Sequence, residues 1–228
     1  MLIFLDLETT GLSSSDRICS IGLCAVEGEK TLEIYELVNE GKKISSKASS
    51  INNITNEMIK TKPALKQTQA WSFLQESNNE NSTLIAHNVN FDLKMLGYCG
   101  FEWRGEVIDT LRATKHLISE CEYFSLQFLR YELKLYKKES AAIAHNALSD
   151  ALLTKLLYEY LLDLADHKKL IELTKKNAPV EKLNFGKYNG RYIEEISMCD
   201  RGYLEWLLTN MEDLDEDLKY GIKKYLNF

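Results

Sequence analysis

The chain opens on a short apolar run, MLIFLDL, of the length a buried strand needs. Two further strand-like runs follow, RICSIGLCAV and TLEIYELV, with the polar EGEK between them as a turn. Three strands in succession joined by short turns predict an antiparallel meander. From Pro63 the period changes: Leu65, Ala70, Phe73 and Leu74 in PALKQTQAWSFLQES recur at helical spacing, and STLIAHN then reads as a strand emptying into a loop. Helices dominate afterwards, in NFDLKMLGYCG (stopped by glycine), DTLRATKHLI, SLQFLRYEL and a long segment from about Asn146 to Ala165. Strands followed by alternating strands and helices predict an α/β fold, a mixed β-sheet flanked by helices.

Beyond that point the pattern shifts. LIELTKKNAPVEK is polar and carries Pro179, and it leads into LNFGKYNGRYIEEI, where Asn189-Gly190 sits between two short strand-like runs as a type I′ hairpin signal. The remainder, GYLEWLLTNMEDLDEDLKYGIKKYL, is helical. The expected organisation is a main domain over residues 1–170, a linker over 171–181 and a small hairpin-plus-helix module over 182–228. At 228 residues and 45% hydrophobic, the chain can bury one sizeable core beside such a module.

Composition removes several classes of function. No apolar run approaches the roughly 20 residues of a membrane span, and the N-terminus lacks the marks of a secretory signal, so the expected location is cytoplasmic, without membrane partners. Five scattered cysteines with no close C-x-x-C pair suit a reducing compartment and are expected in the core. A net charge of −6 and a pI near 5.4 argue against a protein held on nucleic acid by a broadly basic surface. They leave room for an enzyme that grips a few phosphates through metal ions bound to carboxylates.

Candidate chemistry begins with FLDLETTGL. On a strand, Asp6 and Glu8 project to one face, where like charges repel unless a cation joins them; the competing explanation is that the strand has ended and both are solvated. In the long helix, Asp150 shares a stripe with Thr154, Leu157 and Leu161, which is expected to face the sheet, where an unpaired carboxylate is costly. The alternative is tolerance at the rim. His145 falls roughly 140° around a helix from Asp150 and is placed on the loop ahead of it, as either a general base or a structural residue. Asp92 in LIAHNVNFDLKML has a purely local explanation, an acid in the first helical turn with Asn90 as cap, but it also follows a strand end, where ligand sites of α/β sheets gather.

Taken together, FLDLETTGL, LIAHNVNFDLKML and AHNALSDALLT resemble, in order and spacing, the three motifs of the DEDDh 3′–5′ exonucleases, the DnaQ-like family of ribonuclease H-like fold. ISSKASSINNITNEMI and VIDTLRATKHL resemble the family's connecting segments, although INNIT stands where relatives often carry His and Gly before Ile-Thr. The tail is similar to the C-terminal module of one branch of the family, with Arg201 as a departure. The resemblance implies Asp6, Glu8, Asp92, His145 and Asp150 as catalytic residues, the four acids as ligands of two Mg²⁺ or Mn²⁺ ions, and His145 as general base. It further implies that Thr9, Gly11, Leu12, Asn88 and Phe91 contact the substrate, with core packing as the alternative for Leu12 and Phe91. Of the tail residues, Phe185, Tyr188, Tyr192, Tyr203 and Trp206 either stack on bases or fill the module's core, and Lys187 and Arg191 either meet phosphate or are solvated.

The activity so implied is a two-metal 3′–5′ exodeoxyribonuclease that acts on DNA 3′ ends, single- or double-stranded, in DNA repair. RNA is the alternative substrate, as in ribonuclease T or oligoribonuclease, because the five residues do not distinguish the sugar. A polymerase-associated proofreading or binding subunit, with polymerase or repair-protein contacts, is the third reading.

Overall fold

The structure, a computed structural model, describes residues 1–138, 146–178, 180–211 and 214–226. The three expected strands form, as β1 (Leu2–Thr9), β2 (Ile18–Glu27) and β3 (Lys30–Leu37), paired as an antiparallel meander. β4 (Thr83–Ala86) then pairs in parallel with β1, and β5 (Glu106–Asp109) in parallel with β4, giving the order β3-β2-β1-β4-β5. The sheet is mixed, as expected.

β1 alternates between two cores. Ile3, Leu5 and Leu7 enter one apolar cluster with Trp71, Leu74 and Met95, while Phe4 enters a second, on the opposite face, with Ile85, Ile108, Leu157 and Leu161. The period of two therefore carries Asp6 and Glu8 onto Phe4's face, where the apolar filling ends and carboxylates begin.

The helices fill in around this sheet. α1 (Ser46–Asn52) and α2 (Asn56–Ile59), short and polar, give no apolar periodicity; Ser45 and Thr55 cap them by accepting from the Ala48 and Met58 N–H groups. The helix expected from Pro63 is divided: Thr68 accepts from Trp71 N–H and donates to the Leu65 carbonyl, so a 3₁₀ turn over Leu65–Gln67 precedes α3 (Gln69–Glu76). α4 (Val89–Tyr98) follows β4, α5 (Thr110–Leu117) follows β5, and α6 (Leu126–Glu132) leads towards α7 (Ala147–Leu162). α7 lies across β1 and β2 with Asp150, Thr154, Leu157 and Leu161 all buried, the stripe read from the sequence. α8 (His167–Thr174) packs Leu170 and Ile171 into the same core, so regular structure of the main unit continues past residue 170.

The tail has its own core, Leu183, Ile193, Ile196, Leu204, Leu207, Leu218 and Ile222, supplied mainly by α9 (Ile193–Cys199), α10 (Arg201–Asn210) and α11 (Glu216–Leu226). The expected type I′ hairpin is not what forms. Asn189 has φ −52° and ψ 129° and Gly190 φ 82°, a type II turn closed by Arg191 N–H onto the Tyr188 carbonyl at 3.0 Å. A type I′ turn requires positive φ at both positions. The arms pair over a short stretch, at the Lys182–Tyr192 bridge and through Gly190 N–H onto the Leu183 carbonyl, because Ile193 and Ile196, three apart, wind into α9 to reach the core.

Asp217 ties this module to the sheet-bearing unit. It is 4% exposed, 3.2 Å from Arg112 and 3.0 Å from Lys115 of α5, and it accepts the Ala178 N–H at 2.9 Å. The cysteines are free but not all in the core: Cys19 and Cys24 are buried, Cys99 and Cys121 half-buried, and Cys199, at the end of α9, exposed. Among the described residues no helix is long and apolar enough to cross a membrane.

Candidate active site and metal centre

Three carboxylates converge on the α7 face of the sheet. Asp6, Glu8 and Asp150 each offer an oxygen, and the three oxygens lie within 4.8 Å of one another. The approach of α7 depends on Gly22, the cross-strand partner of Asp6. A Cβ at Gly22 would fall 2.1 Å from the Ala147 carbonyl carbon and the Leu148 nitrogen, so only glycine lets the start of the helix lie on the strand. Asn146 caps α7 by accepting the Ser149 N–H at 3.2 Å, which sets Asp150 in the first turn, beside β1.

Asp92 stands beside this triad. It is 3% exposed on α4, which rules out the solvated first-turn acid; the cap is Asn88, in the left-handed region at φ 71°, rather than Asn90. Burial pushes the Asp92 carboxyl well above the usual carboxylate range, with the Asp109 and Glu8 charges adding and the Leu7 backbone amide opposing. Burial raises Asp6 likewise, and its charged neighbours among the described residues, Asp92 foremost, then Asp150 and Glu8, are all of one sign. Burial and Asp150 raise Glu8 to about 7, against a hydrogen bond from Asn52.

Among the described residues the site is short of positive charge; it is built from hard oxygen donors, and that donor set fits divalent ions such as Mg²⁺ or Mn²⁺. Ser20, in register with Glu8 and therefore on the same face, is fully buried, and its hydroxyl has no hydrogen-bond partner among the described residues. An orphaned hydroxyl beside the carboxylates suits a place meant for a hydrated cation.

The other residues read from the sequence surround the cluster. Thr9 is buried, its hydroxyl donating to the Gly11 carbonyl at 2.7 Å. A Cβ on Gly11 would meet the Asp16 carboxylate at 2.6 Å, so the TTGL turn closes over an acid held below its usual range, chiefly by Ser13. Leu12 is 80% exposed, which excludes core packing for it, whereas half-buried Phe91 does pack against the Ile3 cluster. Asn88 exposes its side chain and donates its backbone N–H to Asp109 at 3.0 Å. His145 lies outside the described residues. In the tail, Phe185, Tyr188 and Tyr203 pack against the module's core, while Tyr192 and Trp206 are 44% and 53% exposed. Lys187 pairs with Asp200 and Arg191 with Glu195.

Three supporting residues escaped the sequence reading. Gly22 had a signal, since an isolated glycine inside a strand often marks close backbone approach. Gln127, whose amide reaches Asp150, had none, and nor had Asn52, whose amide reaches the Thr9 carbonyl next to Glu8. Asn53, next to Asn52, takes φ 58°, a left-handed conformation that explains how Asn can stand where the resembling family often has Gly.

Comparison with known proteins agrees with this geometry. The exonuclease family model of the ribonuclease T type matches residues 3–158, and the exodeoxyribonuclease X-like C-terminal model matches residues 183–212. Exodeoxyribonuclease 10 of Escherichia coli is 25% identical over 99% of both chains. The PolC-type DNA polymerase III of Thermotoga maritima is 33% identical over 79% of this chain and 13% of its own length. Among solved structures, exonuclease X in complex with 5′ overhanging duplex DNA aligns with a TM-score of 0.63 and 25% identity, covering 76% of this chain and 99% of that one. E. coli exonuclease I in complex with a dA16 oligonucleotide, at 18% identity and TM-score 0.55 over 75% of this chain and 42% of that one, shares the fold. The chain belongs to the exonuclease family, the divalent-metal-dependent 3′–5′ exonucleases of the ribonuclease T and DnaQ type.

Proposed function

We propose that the protein is a 3′–5′ exodeoxyribonuclease using two divalent ions, Mg²⁺ or Mn²⁺, to release nucleoside 5′-monophosphates from DNA 3′ ends in DNA repair. The observation that carries this reading is the convergence of Asp6, Glu8 and Asp150 within 4.8 Å, with Asp92 alongside. The DNA complexes named for related structures, and the exodeoxyribonuclease relative that matches over the full length, support DNA as substrate.

Bound here, divalent ions would acidify the attacking water and stabilise the departing 3′ oxygen. Asp6, central on β1, is assigned to both ions, Glu8 and Asp150 to the one beside the water, and Asp92 to the other. His145, immediately before the cap of α7 in sequence, is assigned to take the proton from the water, and the TTGL turn to receive the terminal nucleotide. Thr9 and Gly11 shape that turn, the exposed Leu12 side chain is free to wedge against the last base, and Asn88 and Phe91 are assigned to sugar or base contacts. By this reading the chain divides into an exonuclease unit continuing to the end of α8, a short linker reaching residue 181, and the module from 182 to 228.

The test is a time course on matched 5′-labelled single-stranded DNA and RNA with Mg²⁺, with EDTA, and with Asp6→Asn. A DNA ladder shortening from the 3′ end, absent with EDTA and in the variant, is expected. Cleavage of RNA alone would move the substrate to RNA, and undiminished turnover by Asp6→Asn would remove the metal assignment.

A further inference from the structure

One amide side chain ends on a carboxylate of the candidate metal centre. Gln127, half-buried on α6, donates Nε2 to Asp150 Oδ1 at 2.8 Å.

The element carrying Gln127 is itself fixed. His87, on the loop after β4, binds the Phe124 carbonyl through Nε2 at 2.8 Å and the Thr110 hydroxyl through Nδ1 at 3.0 Å. Phe124 immediately precedes Ser125, whose hydroxyl caps α6 by accepting the Phe128 N–H. The chain of contacts therefore runs from the Asn88 loop through His87 to the start of α6, and from α6 through Gln127 to Asp150.

A neutral amide is suited to this place. A lysine or arginine would also orient a carboxylate, but its charge would compete with the cation, and an apolar side chain would leave the carboxylate to be ordered when metal binds. We propose that Gln127 is a positioning residue of the metal centre, holding Asp150 in the orientation that a divalent ion requires without cancelling its charge. The inference rests on the metal-dependent reading given above.

The test is Mn²⁺ binding to the full chain without DNA, followed by electron paramagnetic resonance of the free ion, for wild type, Gln127→Met and Gln127→Glu. Met keeps the bulk of Gln127 and removes the donor; Glu keeps the shape and turns donor into acceptor. Each variant is expected to bind Mn²⁺ roughly 10- to 100-fold more weakly. The Mn²⁺ concentration for half-maximal cleavage should rise in parallel, with KM for DNA unchanged and kcat recovering at saturating metal. Purely structural roles would lower the melting temperature and leave the Mn²⁺ midpoint in place. Midpoints within twofold of wild type in Gln127→Met and Gln127→Glu would overturn the inference. A wild-type protein that does not bind Mn²⁺ would refute the metal-dependent reading itself.

Discussion

Replacing Glu8 by Gln should stabilise the metal-free protein while removing part of its site. Glu8 is raised from 4.5 to about 7 by burial and by Asp150, so the folded state holds a proton that the unfolded chain has already released. A rise of that size corresponds to about 3 kcal/mol at full burial, and the partial exposure of Glu8 to solvent reduces it to ~1–2 kcal/mol. The sign follows from linkage: the contribution is present in full below the unfolded value of 4.5 and is lost as pH rises through about 7. Gln cannot ionise and keeps the shape of the side chain, so the variant removes the charge alone.

Glu8→Gln should therefore melt close to wild type near pH 5 and roughly 2–8 °C above it at pH 8, in EDTA, since about 1 kcal/mol moves Tm by 2–4 °C for a chain of this size. Other groups titrate in the same range. Burial lowers His87 to about 4, which costs stability as pH falls, but it is unchanged in both proteins and cancels in the difference. Differential scanning calorimetry across pH 5 to 8 measures the difference directly. Adding Mg²⁺ should then raise the wild-type Tm more than that of the variant, because the cation relieves the same repulsion. A variant less stable than wild type at pH 8 in EDTA, or a difference that does not change with pH, would refute the picture of mutually repelling buried carboxylates.

Two further substitutions test how the site is held. Gly22→Ala would drive its methyl to within 2.1 Å of the Ala147 and Leu148 backbone, so the start of α7 must move and carry Asp150 away from Asp6. The expected cost is about 1–3 kcal/mol of stability and, for a displacement on the order of 1 Å, about 100-fold in kcat; a variant with wild-type cleavage rates would show that the close approach does not matter. Asp217→Asn keeps the side chain's shape but leaves Arg112 and Lys115 without their buried counter-charge. It should cost about 3–5 kcal/mol in thermal unfolding, and a loss below about 1 kcal/mol would show that the pair does not anchor the C-terminal module.

What the sequence revealed of this site follows from where residues break the expectations of their own surroundings. Asp6 and Glu8 stand out because charges interrupt a strand that is otherwise buried from Ile3 to Thr9, and Asp150 because it sits in a stripe completed by Leu157 and Leu161. Asp92 breaks no local expectation, since an acid in a first helical turn is ordinary; only its 3% exposure, a property of the packed molecule, separates a site residue from a helix cap. The same contrast explains the elements. β5 is four residues, EVID, beginning with an exposed glutamate, and becomes a strand through its partner β4. Asn189-Gly190 is a strong local signal, overruled because Ile193 and Ile196 must reach a core assembled from three helices. Gln127 is the extreme case. A polar residue on a short helix satisfies every local preference, and what singles it out is a carboxylate brought to it by the fold, 23 positions away along the chain for Gln127. Residues that carry charge into the site are therefore visible as local violations, whereas residues that support those charges look ordinary until the chain is folded, and their roles are open only to measurements that separate metal binding from folding.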